Sequence, residues 1–276
     1  MCGVRGSTPA PGREFARYGG HTSCLALAPA GRAAPTLVLD AGTGIRRVTA
    51  LLRGEPFEGT VLLSHLHWDH VHGLPFFGAG DRDGARVRLL IPDQGDGERV
   101  EDVLARGMSP PHFPIGPDGL RGRWTFAPVT VGRFEADGFE VEAREVPHKG
   151  GRTFGYRVTD GSSTVTYVPD HCPTALGPGA DGLGELHPAV MELARGADVL
   201  AHDAQLLPAE LPAEAAFGHA AADYAVGLGR AAGVGRVVLF HHRFDRTDAD
   251  VDALFRRLAG GAPDVSIAAE CSTLDA

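Results

Sequence analysis

Residues 60–77 read Thr-Val-Leu-Leu-Ser-His-Leu-His-Trp-Asp-His-Val-His-Gly-Leu-Pro-Phe-Phe. The apolar run 61–63 has the character of a short strand buried on both faces. It leads directly into His65, His67, Asp69 and His70. In extended backbone, side chains two residues apart point to one side. If the extension continues, His65, His67 and Asp69 stand together and His70 turns away. Four ligand-type residues within six positions can serve two metal ions rather than one. Zinc accepts these imidazole nitrogens and carboxylate oxygens. Packed without a metal, the same groups would repel as imidazolium or need many hydrogen bonds.

The pattern recurs outward from this stretch. His148, Asp170 and His241 each end an apolar strand-like run: VEAREVP, STVTYVP and RVVLF. Sites in layered α/β folds gather where strands end, so these ends point to one convergent cluster. Further β-type runs are TLVLDAG (36–42), ARVRLLIP (85–92), TFGYRV (153–158) and ADVLAHD (197–203). Helical spacing lies between them: Ile45, Val48, Leu51 and Leu52; Val100, Val103 and Leu104; Val190, Leu193 and Ala194; Tyr224, Ala225 and Leu228; Val251, Leu254, Phe255 and Leu258. This order predicts layered sheets flanked by helices, in one domain over 1–276. Two stretches read as loops, 78–84 and 108–123. The second is rich in Pro and Gly and carries Phe113, and is either a cover over a site or a solvated excursion.

Composition narrows the chemistry. The chain has 276 residues, 43% hydrophobic and 22% charged, which excludes disorder as the main state. A net charge of −9 argues against nucleic acid as a partner and for a small-molecule substrate. The 13 histidines concentrate in HLHWDH, VPHK, PDH and FHH, and imidazole is the commonest metal ligand. No apolar run is long enough to span a bilayer, and the start MCGVRGSTPAPG has no apolar signal core. The expectation is a cytoplasmic protein without membrane contact, with a homodimer left open. Cys2, Cys24, Cys172 and Cys271 form no CxxC pair and are expected as free thiols. Cys172, beside Asp170 and His171, is either a small buried residue or site lining.

The motif HxHxDH, followed by a single His, an Asp and a final His, resembles the metallo-β-lactamase superfamily. GVRGSTPAPG, YGGHTSC, DAGTGIR, SHLHWDHVHGLPFF, GYRV, YVPDH, HDAQ, GHAAADYA and LFHH are similar to its phosphodiesterase and tRNA 3′-processing endonuclease-like branch. The resemblance implies an α/β fold, a four-layer αββα sandwich, with two divalent metals in a groove at the sheet edges. Zinc is the first expectation, and the same donors accept manganese or iron. By the same resemblance, His65, His67 and His148 hold one metal, Asp69, His70 and His241 the other, and Asp170 bridges them. His219, in Phe217-Gly218-His219, contacts phosphate or protonates the leaving group, at the start of the Ala-rich helical stretch 220–227. The alternative for His219 is a capping or packing role. Asp40 is expected to support the ligand loop.

Other residues leave choices open. His242 competes with His241 as the last ligand. His72, His171, His21 and the pair His202-Asp203 are candidates for pocket lining or substrate contact, and His112 and His187 read as surface residues. Relatives begin with a strand before the Gly-x-Arg-Gly-Ser segment, where only Met1 and Cys2 stand here. No Gly-rich basic insertion of the kind that grips tRNA is found. The expected function is a dinuclear hydrolase acting through a metal-bridging hydroxide on a small, cyclic phosphodiester, with Asp69 orienting the nucleophile. The alternative is a thioester, lactone or ester hydrolase of the same fold with an apolar pocket. His67 stands where redox relatives usually carry Glu, which argues against a non-hydrolytic role.

Overall fold

A computed structural model describes residues 1–261 and 263–274. Alternating side chains sort each strand between two environments. In β2 (Leu37–Leu39), Leu37 and Leu39 enter a core shared by two sheets, while Val38 faces Ile45 and Val48 on the outside. In β11 (Arg236–Phe240), Val238 and Phe240 enter the shared core, while Val237 and Leu239 pack under helices. The result is the expected helix–sheet–sheet–helix sandwich.

The first sheet runs β1 (Leu25–Leu27), β2, β3 (Glu58–Leu62), β4 (Arg86–Pro92) and β5 (Arg123–Val129) in order. It is parallel from β2 onward, with β1 antiparallel at the edge. Helices α1 (Arg46–Leu51) and α3 (Val100–Ala105) bury Val48, Val100 and Leu104 against it. Between them lies α2 (Trp68–Val71), a single turn. The second sheet contains β6 (Gly132–Ala136), β7 (Phe139–Val146), β8 (Thr153–Thr159), β9 (Thr164–Val168), β10 (Val199–Asp203), β11 and β12 (Asp264–Ile267). Strands β9 to β12 are parallel, and β6 to β8 form an antiparallel meander. Helices α4 (Pro188–Ala194), α6 (Ala222–Ala232) and α7 (Asp248–Leu258) cover its outer face, with the short α5 (Leu211–Glu214) at one end.

Five expected helical faces and eight expected strands are present; Leu51, placed on a buried helix face from its spacing, is 55% exposed because it ends α1. The 78–84 stretch is a turn. The long 108–123 stretch is loop and one short 3-10 turn until β5 begins at Arg123, and Phe113 packs edge-on against Phe76, 5.9 Å between centroids. The N-terminal segment straps the two sheets together: Gly3 bridges Cys24, and Arg5 bridges both Thr22 and His242. Buried Arg5 donates to the carbonyls of Gly19, Arg243 and Arg246. Among the described residues no helix is long and apolar enough to cross a membrane.

Candidate metal centre

The parallel strands β2, β3, β9, β10 and β11, together with β7, release their chains toward one end of the sandwich. Asp40, the 65–70 segment, His148, Asp170, Asp203 and His241 all stand within a few residues of those strand ends. The donor atoms of His65, His67, His148 and Asp170 lie within 4.8 Å of one another, as do those of Asp69, His70 and His241. Asp170 sits between the two groups. Its Oδ1 is 3.1 Å from His70 Nε2 and 3.2 Å from His241 Nε2. Its Oδ2 is 3.3 Å from His148 Nε2 and 3.7 Å from His65 Nε2. One oxygen therefore faces each group, the arrangement a bridging carboxylate needs.

The strand-based expectation for His70 is overturned. The chain leaves extended geometry after His67 and makes the helical turn α2. This swings Asp69 and His70 together toward His241, and separates Asp69 from His65 and His67. Ring Nδ1 of His70 pairs with Asp40 Oδ2 at 2.8 Å, so Nε2 is presented to the centre. Asp40 also accepts from Ser64 N, Ser64 Oγ and Tyr167 OH, at 2.6, 2.8 and 2.8 Å. Asp40 and His241 both adopt left-handed backbone, with φ of 61° and 57°, and such strain concentrates at functional sites.

The chemistry of these groups fits divalent cations. His65 Nε2 is buried without a hydrogen-bond partner, and His70 Nε2 and Asp170 Oδ1, also buried, face each other at 3.1 Å without a well-directed bond, a costly state unless something else satisfies them. Burial, then neighbouring imidazoles, hold His65 and His67 below the ordinary histidine range. Burial also lowers His148. All three stand neutral, with lone pairs free to donate. Burial resists protonation of His70, but Asp69, Asp170 and Asp40 prevail and raise it. The field that draws a proton there would draw a metal cation instead. Burial raises Asp69 and Asp170, and the surrounding histidines more than offset it, so both remain ionised. Nitrogen and oxygen donors of this kind suit zinc, and also manganese or iron.

His219 lies at the same centre, its Nδ1 3.1 Å from Asp203 Oδ2 and 3.8 Å from Asp170 Oδ2. Burial opposes its charge, but Asp203, then Asp170 and Asp69, raise it to about 9. The helix expected after His219 is present, three residues on. Helix α6 starts at Ala222, and the amides of Ala220 and Ala222 are engaged by Asp203 and Leu206.

Several roles were not legible from residue type. Asp203 ties three segments, accepting from the amides of His171, Gln205 and Ala220. Ser7, in left-handed backbone, donates its amide to Asp69 Oδ2 at 2.7 Å. Only the GST segment's place in the resemblance signalled it.

The remaining histidines lie away from the donor groups. His242 Nε2 donates to the Ala268 carbonyl at 2.9 Å. His72 stacks on Trp68. His171 and His202 pair behind the centre, 3.1 Å apart. His21 meets Thr43, His112 is exposed, and half-buried His187 faces His171. Cys172 is half-buried, near Thr174 Oγ1.

Comparison with known proteins agrees with this architecture. The β-lactamase superfamily domain matches residues 36–242, well over half of the chain. Ribonuclease Z of Methanothermobacter thermautotrophicus is 28% identical over 269 residues, covering 84% of this chain and 85% of the relative. Among solved structures, the metallo-β-lactamase fold protein YhfI from Bacillus subtilis superposes with a TM-score of 0.68 at 17% identity, covering 98% of this chain and 95% of that one. The short form of human tRNase Z gives 0.65 at 18% identity, covering 99% and 97%. The chain belongs to the β-lactamase superfamily and is a metal-dependent hydrolase.

Proposed function

We propose that the protein is a cytoplasmic dinuclear phosphodiesterase acting on a small, cyclic phosphodiester. His65, His67 and His148 would hold one divalent ion, zinc first, and Asp69, His70 and His241 the second, with Asp170 shared. Bound there, two such ions supply a water nucleophile at neutral pH and offset charge building on the phosphoryl oxygens. Asp69 is fixed for its part by the Ser7 amide and faces His70 and His241, at 3.3 and 3.1 Å. A water held at that carboxylate is oriented for attack. His219 holds its Nδ1 on Asp203, which leaves Nε2 as the atom that donates a proton to the leaving oxygen.

The observation that carries the phosphodiester reading is the His219–Asp203 pair. The two donor groups named above leave His219 out, yet Asp203 holds its imidazole beside them, within reach of Asp170 and His241, where a leaving alkoxide would need a proton. Relatives named ribonuclease Z support phosphodiester chemistry. The net charge of −9 supports a small substrate rather than RNA.

The test assays metal-loaded protein on a cyclic phosphodiester, a precursor tRNA and a model thioester, alongside metal analysis. Turnover of the cyclic diester with close to two ions per chain is expected. Preferential cleavage of the thioester, or of precursor tRNA, would overturn the substrate assignment. Protein that binds no transition metal and gains no activity from one would overturn the dinuclear one.

A further inference from the structure

Large aromatic side chains are normally covered in a folded chain, and exposed ones gather at binding surfaces. Four are exposed among the described residues: Trp68 at 70%, Phe217 at 62%, Phe76 at 58% and Phe244 at 39%. All four lie on segments that carry the centre. Trp68 stands between His67 and Asp69, Phe76 follows α2, Phe217 precedes His219 by two residues and Phe244 follows His241 by three.

Trp68 is built to stack. His72 is four residues on along the α2 turn, and the two rings are parallel to within 21° with centroids 5.3 Å apart. One face of the indole is covered by the imidazole, and its exposure leaves the other available. Its neighbours in the chain, His67 and Asp69, belong to different donor groups, so the Trp68 backbone lies between the two.

Phe217 is on the other flank of His148. His148 Nε2 meets His67 Nδ1 at 3.2 Å, and His148 Nδ1 donates to the Gly218 carbonyl at 2.7 Å. The residues next to Trp68 and next to Phe217 therefore both touch the same imidazole. Beside Phe217 is Lys149, the one lysine in the chain. It is exposed, and its Nζ donates to the Ala216 carbonyl at 3.1 Å with no carboxylate partner among the described residues. In an acidic protein, this is an available cation at the rim of the centre.

We propose that this rim binds a nucleobase flanking the scissile phosphodiester: the base stacks on the open face of Trp68, Phe217 bounds the opposite flank, and Lys149 adds positive charge at that rim. The inference rests on the phosphodiesterase reading and narrows it to base-bearing substrates. Stacking does not depend on a base's hydrogen-bonding edge, so the rim accepts purines and pyrimidines alike. Lysine acts as a point charge and sets no fine geometry.

The test compares wild type, Trp68→Ala, Trp68→Phe and Phe217→Ala, each checked for unchanged metal content. Substrates are 2′,3′-cyclic nucleotides, a base-free ribose cyclic phosphate and a short RNA with the same terminal base. In wild type the base-bearing cyclic diester has the lower KM. Trp68→Ala reduces that preference about tenfold, the scale of one lost stacking contact, with kcat moving less than KM, and Trp68→Phe restores most of it. In a Trp124→Phe background, a non-cleavable nucleotide quenches Trp68 fluorescence and base-free ribose phosphate does not.

Cleavage with no base preference, or equal KM changes on both diesters in Trp68→Ala, overturns the rim while leaving the phosphodiesterase reading intact. Quenching by nucleotides without cleavage of any diester leaves the rim and overturns the reading. A preference confined to the short RNA would assign the stacked base to a polymer end. If Trp68→Ala changes only the oligomeric mass, the surface is an interface between copies, and the base-binding proposal fails.

Discussion

In the proposed centre, His65, His67 and His148 are a half-site whose own donors are imidazole alone, whereas Asp69, His70 and His241 are one with its own carboxylate and a second, Asp40, behind His70. The first half attracts through lone pairs: burial keeps its three imidazoles neutral, so a cation displaces little. The second half attracts through charge, and its His70 is raised by the carboxylates around it. The first should select imidazole-seeking ions such as zinc, while the second should tolerate harder ions such as manganese. Asp170 faces both, one oxygen to each.

The most damaging single change is therefore the one that removes the shared charge. Asp170→Asn keeps size and shape but leaves two cations facing a neutral amide. Activity should fall by orders of magnitude, and metal analysis should show loss of at least one ion, while circular dichroism shows the fold retained. Near-native turnover in this variant would remove Asp170 from the bridge and make the two halves independent.

His219→Ala should come next. His219 adjoins Asp170 and His241 but is assigned to neither half-site, so both ions should stay bound. Cleavage of an unactivated diester should slow by about 10²–10⁴-fold, as for loss of a general acid. A diester whose leaving group needs no proton should slow much less. Equal small losses on both would take His219 out of the proton transfer and shift weight to a carbon-centred substrate.

The halves also differ in how much of each could be read from sequence. Apolar runs announced β2, β3, β4, β7, β8, β9, β10 and β11, and the residues that end or follow them announced Asp40, His65, His148, Asp170 and His241. Strand β1 has only three residues, β6 is mostly exposed, β5 is interrupted by Pro128, and β12 has four residues. None had a pattern strong enough to stand out. His65 and His67 could be read from strand spacing. His70 could not, because a one-turn helix reverses the direction that strand spacing assigns to it. The Ser7–Asp69 contact joins residues 62 positions apart through a backbone amide, which leaves no trace in residue type. Asp203 was visible as the end of a strand and a candidate for pocket lining; two of its three amide partners, His171 and Ala220, come from segments that meet it only after folding.

Asp40→Asn tests the charged half by itself. The substituted side chain keeps an oxygen to accept from Ser64 but removes the negative charge behind His70. Partners of this kind typically carry about 10–100-fold in metal affinity or activity. The loss should fall on the ion held by Asp69, His70 and His241. Competition with a chelator should then remove one ion early and leave the other near its wild-type affinity. Parallel weakening of both ions would mean that the two halves are coupled more tightly than a single shared carboxylate implies.

The smallest effect on chemistry is expected at the residue beside His241. His242 directs its Nε2 to the Ala268 carbonyl, packs edge-on to Tyr18 with centroids 6.1 Å apart, and leaves its Nδ1 buried without a partner. Burial, reinforced by Arg5 and Arg246, pushes its pKa down to about 3 against a weaker opposing pull from the Ala268 carbonyl. Protonation would place a second donor where nothing accepts it. The folded state thus binds this proton less readily than the unfolded chain, so His242 contributes a loss of stability that begins as pH falls below about 6.5 and ends near its folded pKa of about 3. His242→Phe should keep both ions and change turnover by less than about twofold, since it touches neither half-site. It strands the Ala268 carbonyl, at a cost of about 1–3 kcal/mol near neutral pH, and should flatten the acid limb of the stability profile. Denaturant melts across that pH range measure both effects. His241→Phe in the same assays should lose an ion and most of the activity. If His242→Phe lost the metal and His241→Phe kept it, the assignment of the charged half would have to be rebuilt around His242.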